Sequence, residues 1–272
     1  MRDTMVAEFS LRTRRGLWVL PLVAALAGVF GWSCAVAAGL NDTGVTTCAD
    51  ASGATVSCTA ATAVQGQDAR YGRDAAAGTS ALSKVGGGAN GFDFSKVKNS
   101  GVIPLANNAS LSLGAGNDDW GCTYDNTTGL MWEVKTTSGL RSQSHIYTWY
   151  DTNPATNGGS VGNAAGGVCL TGGRCDTEKY TQDVNAATMC GHSDWRMPTF
   201  RELQGLVRLG VGPTIDGAYF PNTVPLCGFW SASPVVANAS HVWFVYFGDG
   251  SSGPSPVGST NFECVRLVRV GR

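Results

Sequence analysis

The chain has 272 residues and a formal net charge of −1 at pH 7, from 19 basic and 20 acidic side chains. This balance provides no general electrostatic field for attracting nucleic acid, heparin-like polymers or anionic lipid, and it excludes the functions that depend on such a field. The length is enough for one sizeable domain and an extension.

Residues 1–37 have the pattern of a bacterial signal peptide. A basic cluster at residues 12–15 precedes an uncharged apolar run over residues 16–32, and Ala35-Val36-Ala37 satisfies the small-x-small rule of signal peptidase. We therefore predict cleavage before Ala38 and a mature protein that is secreted, periplasmic or held at the bacterial cell surface, without stable insertion in the membrane. A retained membrane anchor is the alternative, because the apolar run approaches the shortest length that spans a bilayer.

Residues 38–118 are rich in Gly, Ala, Ser, Thr and Asn and contain few large apolar residues. Such a composition cannot bury much of a core, and it predicts a low-complexity, loosely structured extension. The charges between Asp68 and Asp74 predict local ion pairs in a solvated turn. The alternation of aromatic and polar residues over 91–94 predicts one short strand that packs on the main domain.

Eight cysteines remain after the predicted cleavage, an even number that indicates disulfides in an oxidising compartment. Loop length suggests two local pairs, and we assign the other four cysteines so that one bridge joins the first strand of the main domain to its last. The predicted pairs are Cys48–Cys58, Cys169–Cys175, Cys190–Cys227 and Cys122–Cys264. A zinc site is not predicted, because the chain has no Cys-x-x-Cys or His-x-x-x-His spacing.

The globular domain is predicted over residues 119–272, where aromatic and apolar residues concentrate. It opens with a β-hairpin, in which residues 122–125 and 130–135 flank an Asn-Thr-Thr-Gly turn. Trp132 and Met131 should point to opposite faces of the second strand. A long Gly- and Asn-rich loop over residues 151–173 follows, and loops of this length in a compact domain are functional or mobile.

Two helices and a set of strands complete the prediction. Asp176 or Thr177 caps the first helix, which ends at Gly191. The second begins at Thr199, which forms a Thr-x-x-Glu capping box with Glu202. The later strands are predicted over residues 229–231, 241–247 and 264–270.

Several of these residues are predicted to have structural roles. Arg196 should be buried and held by Asp194 or Glu202, an arrangement that fixes a fold. Three tryptophans are predicted to lie in the core, where their aromatic area serves packing. These are Trp132, Trp195 and Trp230.

The candidate binding residues lie near the long loop and in a late turn. Tyr147, Trp149 and Tyr150 border residues 151–173, and a partly exposed aromatic face can stack on a sugar ring. Asp249 in Gly248-Asp249-Gly250 is the fourth candidate. Asp249 and the pair Asp118-Asp119 are also the candidate calcium ligands, but neither has a specific calcium pattern and a turn is the default reading, so no cofactor is predicted.

Six separated motifs, in order, resemble the Lcl C-terminal domain family, the C-terminal domain of the Legionella collagen-like adhesin. They cover roughly residues 119–270. The motifs are Asp125–Trp132, Val184–Ala186 with Cys190–Gly191, Asp194–Thr199 with Glu202–Leu203, Phe220–Thr223, Phe229–Ser233 and Val265–Arg269.

The resemblance implies a C-type-lectin-like α+β domain with a short hairpin, two helices and an antiparallel sheet whose first and last strands lie together. It also implies binding to host glycans and cell aggregation. The chain departs from the adhesin in two respects, since it has no collagen-like repeats and is acidic where a sulfated glycan would require basic residues. Residues 196–199 with Glu202 are also similar to a stretch of formylglycine-generating enzymes, which have a related fold.

Three functions are therefore carried forward. The first is a secreted or surface-associated, non-catalytic binding or adhesion domain, which displays residues 136–173 and the turn at Asp249 for glycan recognition. The second is a structural module of a pilus or cell-envelope assembly, docked through the extension to an envelope or pilus protein. The third is a formylglycine-generating-enzyme-like oxidase, for which the chain shows no reactive cysteine pair. No catalytic residue is predicted, since Cys190 beside His192 should form a disulfide.

Overall fold

The computed structural model describes residues 39–104, 110–258 and 263–271, and the predicted signal peptide lies outside them. Three α-helices and antiparallel sheets make this part of the chain an α+β structure. None of its helices has both the length and the apolar character that crossing a membrane requires.

The segment before the predicted domain has regular structure of its own. Strands β1 (Cys48–Ala49) and β2 (Thr55–Val56) form an antiparallel pair, and helix α1 spans Gly72–Gly78. A small apolar cluster around Cys48, Ala63 and Ala69 packs beneath them. The prediction of a loosely structured extension is therefore wrong for the described part of residues 38–118, because small residues and a disulfide suffice to order it.

A four-stranded antiparallel sheet forms the centre of the molecule. Its strands are β3 (Phe94–Lys98), β4 (Trp120–Asp125), β5 (Leu130–Glu133) and β9 (Val268–Val270), in the order β3-β4-β5-β9. The predicted hairpin is confirmed as β4 and β5. The prediction that the first and last strands of the domain lie together is wrong, because β5 lies between β4 and β9. The neighbour of β4 on its other side is β3, which comes from the segment before the predicted domain.

The two predicted helices are present and begin where their caps predict. Helix α2 spans Thr177–Ala186, and its N-cap Asp176 accepts a hydrogen bond from the Lys179 amide (2.8 Å). It ends before the predicted Gly191, which belongs to a separate 3₁₀ turn. Helix α3 spans Phe200–Gln204 and has the predicted capping box.

A second, three-stranded sheet consists of β6 (Gly228–Val235), β7 (Asn238–Tyr246) and β8 (Ser252–Pro256), all antiparallel. Strand β6 extends the predicted 229–231 at both ends, and β7 begins before the predicted 241–247 and ends one residue earlier. The predicted strand over 264–270 is too long, because only β9 at its end is a strand. Strand β8 is absent from the prediction, because its Ser-Gly-Pro-Ser-Pro sequence has the composition of a turn.

Two apolar clusters occupy the two sides of the central sheet. Met131 belongs to one cluster and Trp132 to the other, as expected for adjacent residues of a strand. Trp195 and Trp230 are also buried, so the predicted core role of the three tryptophans is confirmed. Because both faces of β5 are covered, the hairpin lies in the interior of the domain.

All eight described cysteines form disulfides, which are Cys48–Cys58, Cys122–Cys190, Cys169–Cys175 and Cys227–Cys264. The two short-range pairs are as predicted, whereas Cys190–Cys227 and Cys122–Cys264 are wrong. The 3₁₀ turn after α2 brings Cys190 against β4, at a Cα–Cα distance of 6.4 Å from Cys122. Cys264 instead lies beside Phe229 on β6, within reach of Cys227.

Candidate functional site

Two of the predicted binding aromatics are in the core. Tyr147 is 1% exposed and packs against Tyr180, with ring centroids 4.6 Å apart. Trp149 is 2% exposed and donates its indole N–H to the carbonyl of Ser231 (3.0 Å). Because residues 146–150 are bridged to several distant segments, their side chains are covered, and the prediction that Tyr147 and Trp149 are partly exposed is wrong.

Tyr150 is half-buried and lines a cleft of about 290 Å³ at the start of α2. Its amide donates to Thr177 Oγ1 (2.9 Å), and that hydroxyl donates to the Tyr150 carbonyl (2.8 Å). The Lys179 ammonium lies 5.3 Å from the ring centroid. We call this concavity the Tyr150 cleft, and its other polar lining residues are Asp151, Thr156, Glu178, Thr181, Gln182, Asn185 and Arg196.

The first part of the long loop is ordered against this cleft. Glu178 accepts hydrogen bonds from the amide (2.7 Å) and hydroxyl (2.8 Å) of Thr152. Asp151 accepts from the Asn153 amide (2.9 Å) and the Thr156 hydroxyl (2.6 Å). These bonds fix the carboxylates that flank Tyr150, so part of the loop forms a defined wall.

Arg196 borders the cleft and forms a two-pronged pair with Glu202, through contacts of 2.6 and 2.9 Å. Burial raises the pKa of Glu202, but hydrogen bonds from Arg196 and Thr199 outweigh it and the pKa is lowered. Asp194 pairs with Arg269 instead (2.6 Å). Glu202 is thus the predicted partner, while the expectation that Arg196 is buried is wrong, because its side chain is 41% exposed.

Asp249 lies outside the Tyr150 cleft. Its carboxylate accepts from the Ser251 amide (2.8 Å), and its pKa is lowered by hydrogen bonds from the Ser251 hydroxyl and amide. Asp118 forms an exposed ion pair with Lys98 (2.7 Å). Both positions have the local bonding of turns and surface pairs.

Three aspartates that were not predicted together lie close to one another. The carboxylate oxygens of Asp42, Asp68 and Asp74 lie within 4.8 Å of one another. Asp74 is buried and accepts from the amides of Gly44 (2.6 Å) and Gly91 (2.8 Å). Burial raises its pKa, and the neighbouring carboxylates raise it further. The predicted ion pairs within residues 68–74 are wrong, because Arg73 pairs with Asp93 (3.9 Å) and Arg70 donates to the Ala63 carbonyl (3.3 Å). We assign no ion to the aspartate cluster.

A larger groove of about 770 Å³ lies between the loop after β5 and the turn after α2. Arg141 is the charged residue of its described lining, and we call it the Arg141 groove. Part of the predicted recognition segment, residues 136–141, forms one wall. The other lining residues are Asn99, Leu113, Gly114, Ala115, Asn117, Val184, Ala187, Thr188, Met189, Cys190 and Asn222.

A model of the Lcl C-terminal domain family matches residues 121–269, which is more than half of the chain. The match includes the whole three-stranded sheet and, in the four-stranded sheet, everything except β3, Trp120 of β4 and Val270 of β9. The chain belongs to the Lcl C-terminal domain family. No curated protein and no solved structure gives a match. The family takes its name from a domain of a collagen-like adhesin, which agrees with a surface or adhesion role in general. The four disulfides fit an extracellular or surface protein.

A buried polar network crosses the interior of the Lcl C-terminal domain. Glu133 accepts from the Tyr180 hydroxyl, from Lys135 Nζ (2.8 Å) and from the Leu267 amide (2.9 Å). Arg266 donates to the Glu133 carbonyl (2.6 Å). Burial lowers the pKa of Lys135 and raises that of Tyr180. Sequence reasoning placed Glu133 and Lys135 on the hairpin face opposite Trp132, but nothing local indicates that this face is covered.

Proposed function

We propose that this chain is a secreted or surface-associated, non-catalytic adhesion domain that recognises a glycan at the Tyr150 cleft. The proposal includes a C-type-lectin-like arrangement, which the order of hairpin, two helices and antiparallel sheet supports. Membership of a family that is a domain of a collagen-like adhesin supports the adhesion role.

The observation that carries the proposal is the combination of groups around Tyr150. A half-buried phenol ring with a fixed backbone can stack on the apolar face of a sugar. The carboxylates of Asp151 and Glu178 and the amide of Gln182 can bond to sugar hydroxyls. Small concavities with a few placed polar groups are the usual form of ligand sites.

The chemistry of the described residues supports the non-catalytic part of the proposal. A cysteine-based oxidase needs a thiol, and every described cysteine is in a disulfide. His145 lies next to Tyr147, and burial lowers its pKa, so it offers no charged acid at neutral pH. Ser240 Oγ lies 3.2 Å from His241 Nδ1, but this contact is exposed and lies in neither concavity. No carboxylate among the described residues bonds to the His241 ring, so the third group that orients the base in covalent catalysis is missing.

A glycan array probed with the purified mature chain tests the proposal. Tyr150→Ala should weaken binding to the best glycan by about tenfold or more, because stacking and the cleft wall are both lost, whereas Tyr150→Phe should retain most of it. Tyr71→Ala is the matched control, since Tyr71 is 60% exposed and lies outside the cleft. Binding at background level, together with co-purification of an envelope or pilus protein, would favour the structural-module hypothesis.

A further inference from the structure

The Arg141 groove has a lining with one cation and no acid. Arg141 is charged, and the other described lining residues are amides, hydroxyl residues, aliphatic residues, glycines and a disulfide cysteine. In a chain whose acidic side chains outnumber its basic ones, an uncompensated cation in a concavity is selective for an anion. The groove is therefore built to receive negative charge at one point.

The guanidinium of Arg141 is anchored but not neutralised. Its Nη1 donates to the carbonyl of Gly121 on β4 (2.6 Å). Among the described residues, no carboxylate lies within the 4.0 Å of an ion pair with it. A guanidinium has five donors in a fixed fork, so the remaining donors match the two oxygens of a carboxylate.

The rest of the lining distinguishes between classes of carboxylate. Leu113, Leu140 and Met189 supply aliphatic surface, and no aromatic ring lines the described groove. A sugar acid would lack a ring to stack on here, whereas an aliphatic side chain would find matching surface. The side chains of Asn117 and Thr137 have no hydrogen-bond partner among the described residues, so they are available to peptide amides.

The walls of the groove are fixed before any ligand arrives. The Cys122–Cys190 disulfide joins the turn after α2 to β4. Three of the six non-glycine residues with positive φ in the described chain also line the groove, namely Thr188 (46°), Cys190 (50°) and Asn222 (57°). Such backbone is held only where the surroundings impose it, and it concentrates at functional sites. A rigid groove loses little entropy on binding.

We propose that the Arg141 groove binds the free C-terminal carboxylate of a peptide whose last side chain is aliphatic. Arg141 pairs with the carboxylate, the aliphatic floor receives the last side chain, and the amide and hydroxyl groups bond to the peptide backbone. The groove shares no lining residue with the Tyr150 cleft, so this inference goes beyond the proposed function. A domain with both sites would hold a glycan and a protein chain end at once.

Calorimetric titration of the purified mature chain with an N-acetylated tripeptide ending in leucine tests the proposal. The free acid should bind, and the C-terminal amide of the same peptide should bind about tenfold more weakly or not at all, because the charge-assisted pair is lost. Arg141→Met should reduce affinity for the acid to that for the amide. Arg141→Lys should be intermediate, since an ammonium keeps the charge without the fork.

The controls separate a binding role from a structural one. Arg201→Met removes an exposed cation on α3 and should leave affinity unchanged. Ala187→Trp fills the groove from an exposed position while Arg141 is intact, and should abolish peptide binding. If circular dichroism shows Arg141→Met to be unfolded, Ala187→Trp is the variant that tests whether the peptide binds in the groove. Tyr150→Ala should bind the peptide normally, because Tyr150 does not line the Arg141 groove. Peptide binding can therefore be observed even if no glycan binds at the Tyr150 cleft.

Three outcomes would overturn the proposal. Equal affinity for acid and amide would show that the carboxylate is not recognised. Undiminished binding by a folded Arg141→Met or Ala187→Trp chain would place the peptide elsewhere. Tighter binding of glucuronate or galacturonate than of the peptide, lost in Arg141→Met, would assign the groove to a sugar acid.

Discussion

The Glu133 carboxylate is the centre of a buried polar network in the interior of the domain. It is fully buried and accepts from Tyr180, Lys135 and the Leu267 amide, while Lys135 is almost as deeply buried. Transfer of charged groups from water costs several kcal/mol, and only the pairing offsets this cost. Removal of one partner is therefore costly, because the other charge is then buried without compensation.

Glu133→Gln should therefore destabilise the fold by about 3 kcal/mol, because it leaves the Lys135 ammonium buried without a counter-charge. The free energy of unfolding in urea, measured at pH 7 with the disulfides intact, gives this value. Asp118→Asn removes an exposed partner of Lys98 and should change it by less than about 0.5 kcal/mol. A loss for Glu133→Gln as small as that of the control would contradict a structural role for the network.

At the scale of elements, Glu202 at the start of α3 takes part both in the helix cap and in an ion pair outside the helix. Glu202 completes the capping box with Thr199 and pairs with Arg196, the residue that borders the Tyr150 cleft. The pKa of Glu202 is lowered in the fold, so its ionised form stabilises the protein above the pKa of the unfolded chain. This contribution is lost as the pH falls through the lower pKa of the folded state.

Glu202→Gln should cost about 1 kcal/mol at pH 7, since a glutamine keeps part of the cap but loses the charged pair. The difference from the unaltered chain should shrink below about pH 4.5, where the unfolded carboxyl protonates, and should vanish below the folded pKa. Urea unfolding of both proteins between pH 7 and pH 3 measures this. A difference that stays constant over the range would show that ionisation of Glu202 is not involved.

Elements with local signals were the predictable part of this fold. The hairpin turn, the Asp176 cap and the Thr199 capping box act within a few residues, and the structure confirms all three. Strand β8 was missed because pairing with β7 overrides its turn-like composition. Tyr147 and Trp149 were misplaced because their burial depends on bridges to residues 162–168, 176 and 263, which no local pattern reveals.

The sequence predicted a site residue only where the residue type and its position beside a loop were enough to indicate ligand binding. Tyr150 was found because an aromatic residue beside a long loop is a common ligand contact. Arg141 was missed, since its significance depends on the absence of a nearby carboxylate and on a turn that lies 47 to 49 residues further along the chain. Non-local geometry of this kind also decided the disulfide pairs.

At the scale of the whole molecule, the Cys122–Cys190 bridge ties β4 to the turn after α2 across a separation of 68 residues. In the chain-entropy model, closing a loop of this size in the unfolded state stabilises the fold by about 4 kcal/mol. Cys122→Ala/Cys190→Ala should lose an amount of this order, measured by urea unfolding. The Cys169–Cys175 bridge has a sequence separation of only 6, so Cys169→Ala/Cys175→Ala should lose less stability.

Peptide mapping without reduction identifies the partners directly. A Cys122–Cys264 or Cys190–Cys227 fragment would contradict the pairing described above. Alkylation of the native chain before denaturation should label no thiol among the eight cysteines, because all of them are bridged.

Strand β3 makes the segment before residue 119 part of the core of the molecule. It pairs with β4 along Phe94–Lys98, and Phe92 and Phe94 are buried with Phe220 and Tyr219. A chain that begins at residue 119, the boundary indicated by composition, would expose an edge of β4 and remove both phenylalanines. Loss of one buried phenylalanine side chain alone costs about 3 to 5 kcal/mol, so this shortened chain should unfold without a cooperative transition.

A chain that begins at residue 79 retains β3 and is the matched control, since it loses α1 and the Cys48–Cys58 loop but keeps the central sheet complete. It should unfold cooperatively in urea and keep the dispersed amide spectrum of a folded domain. Equal behaviour of the two shortened chains would mean that β3 contributes little to stability. The family match begins only at residue 121. If the control unfolds cooperatively and the 119–272 chain does not, the folding unit begins well before the start of the family match.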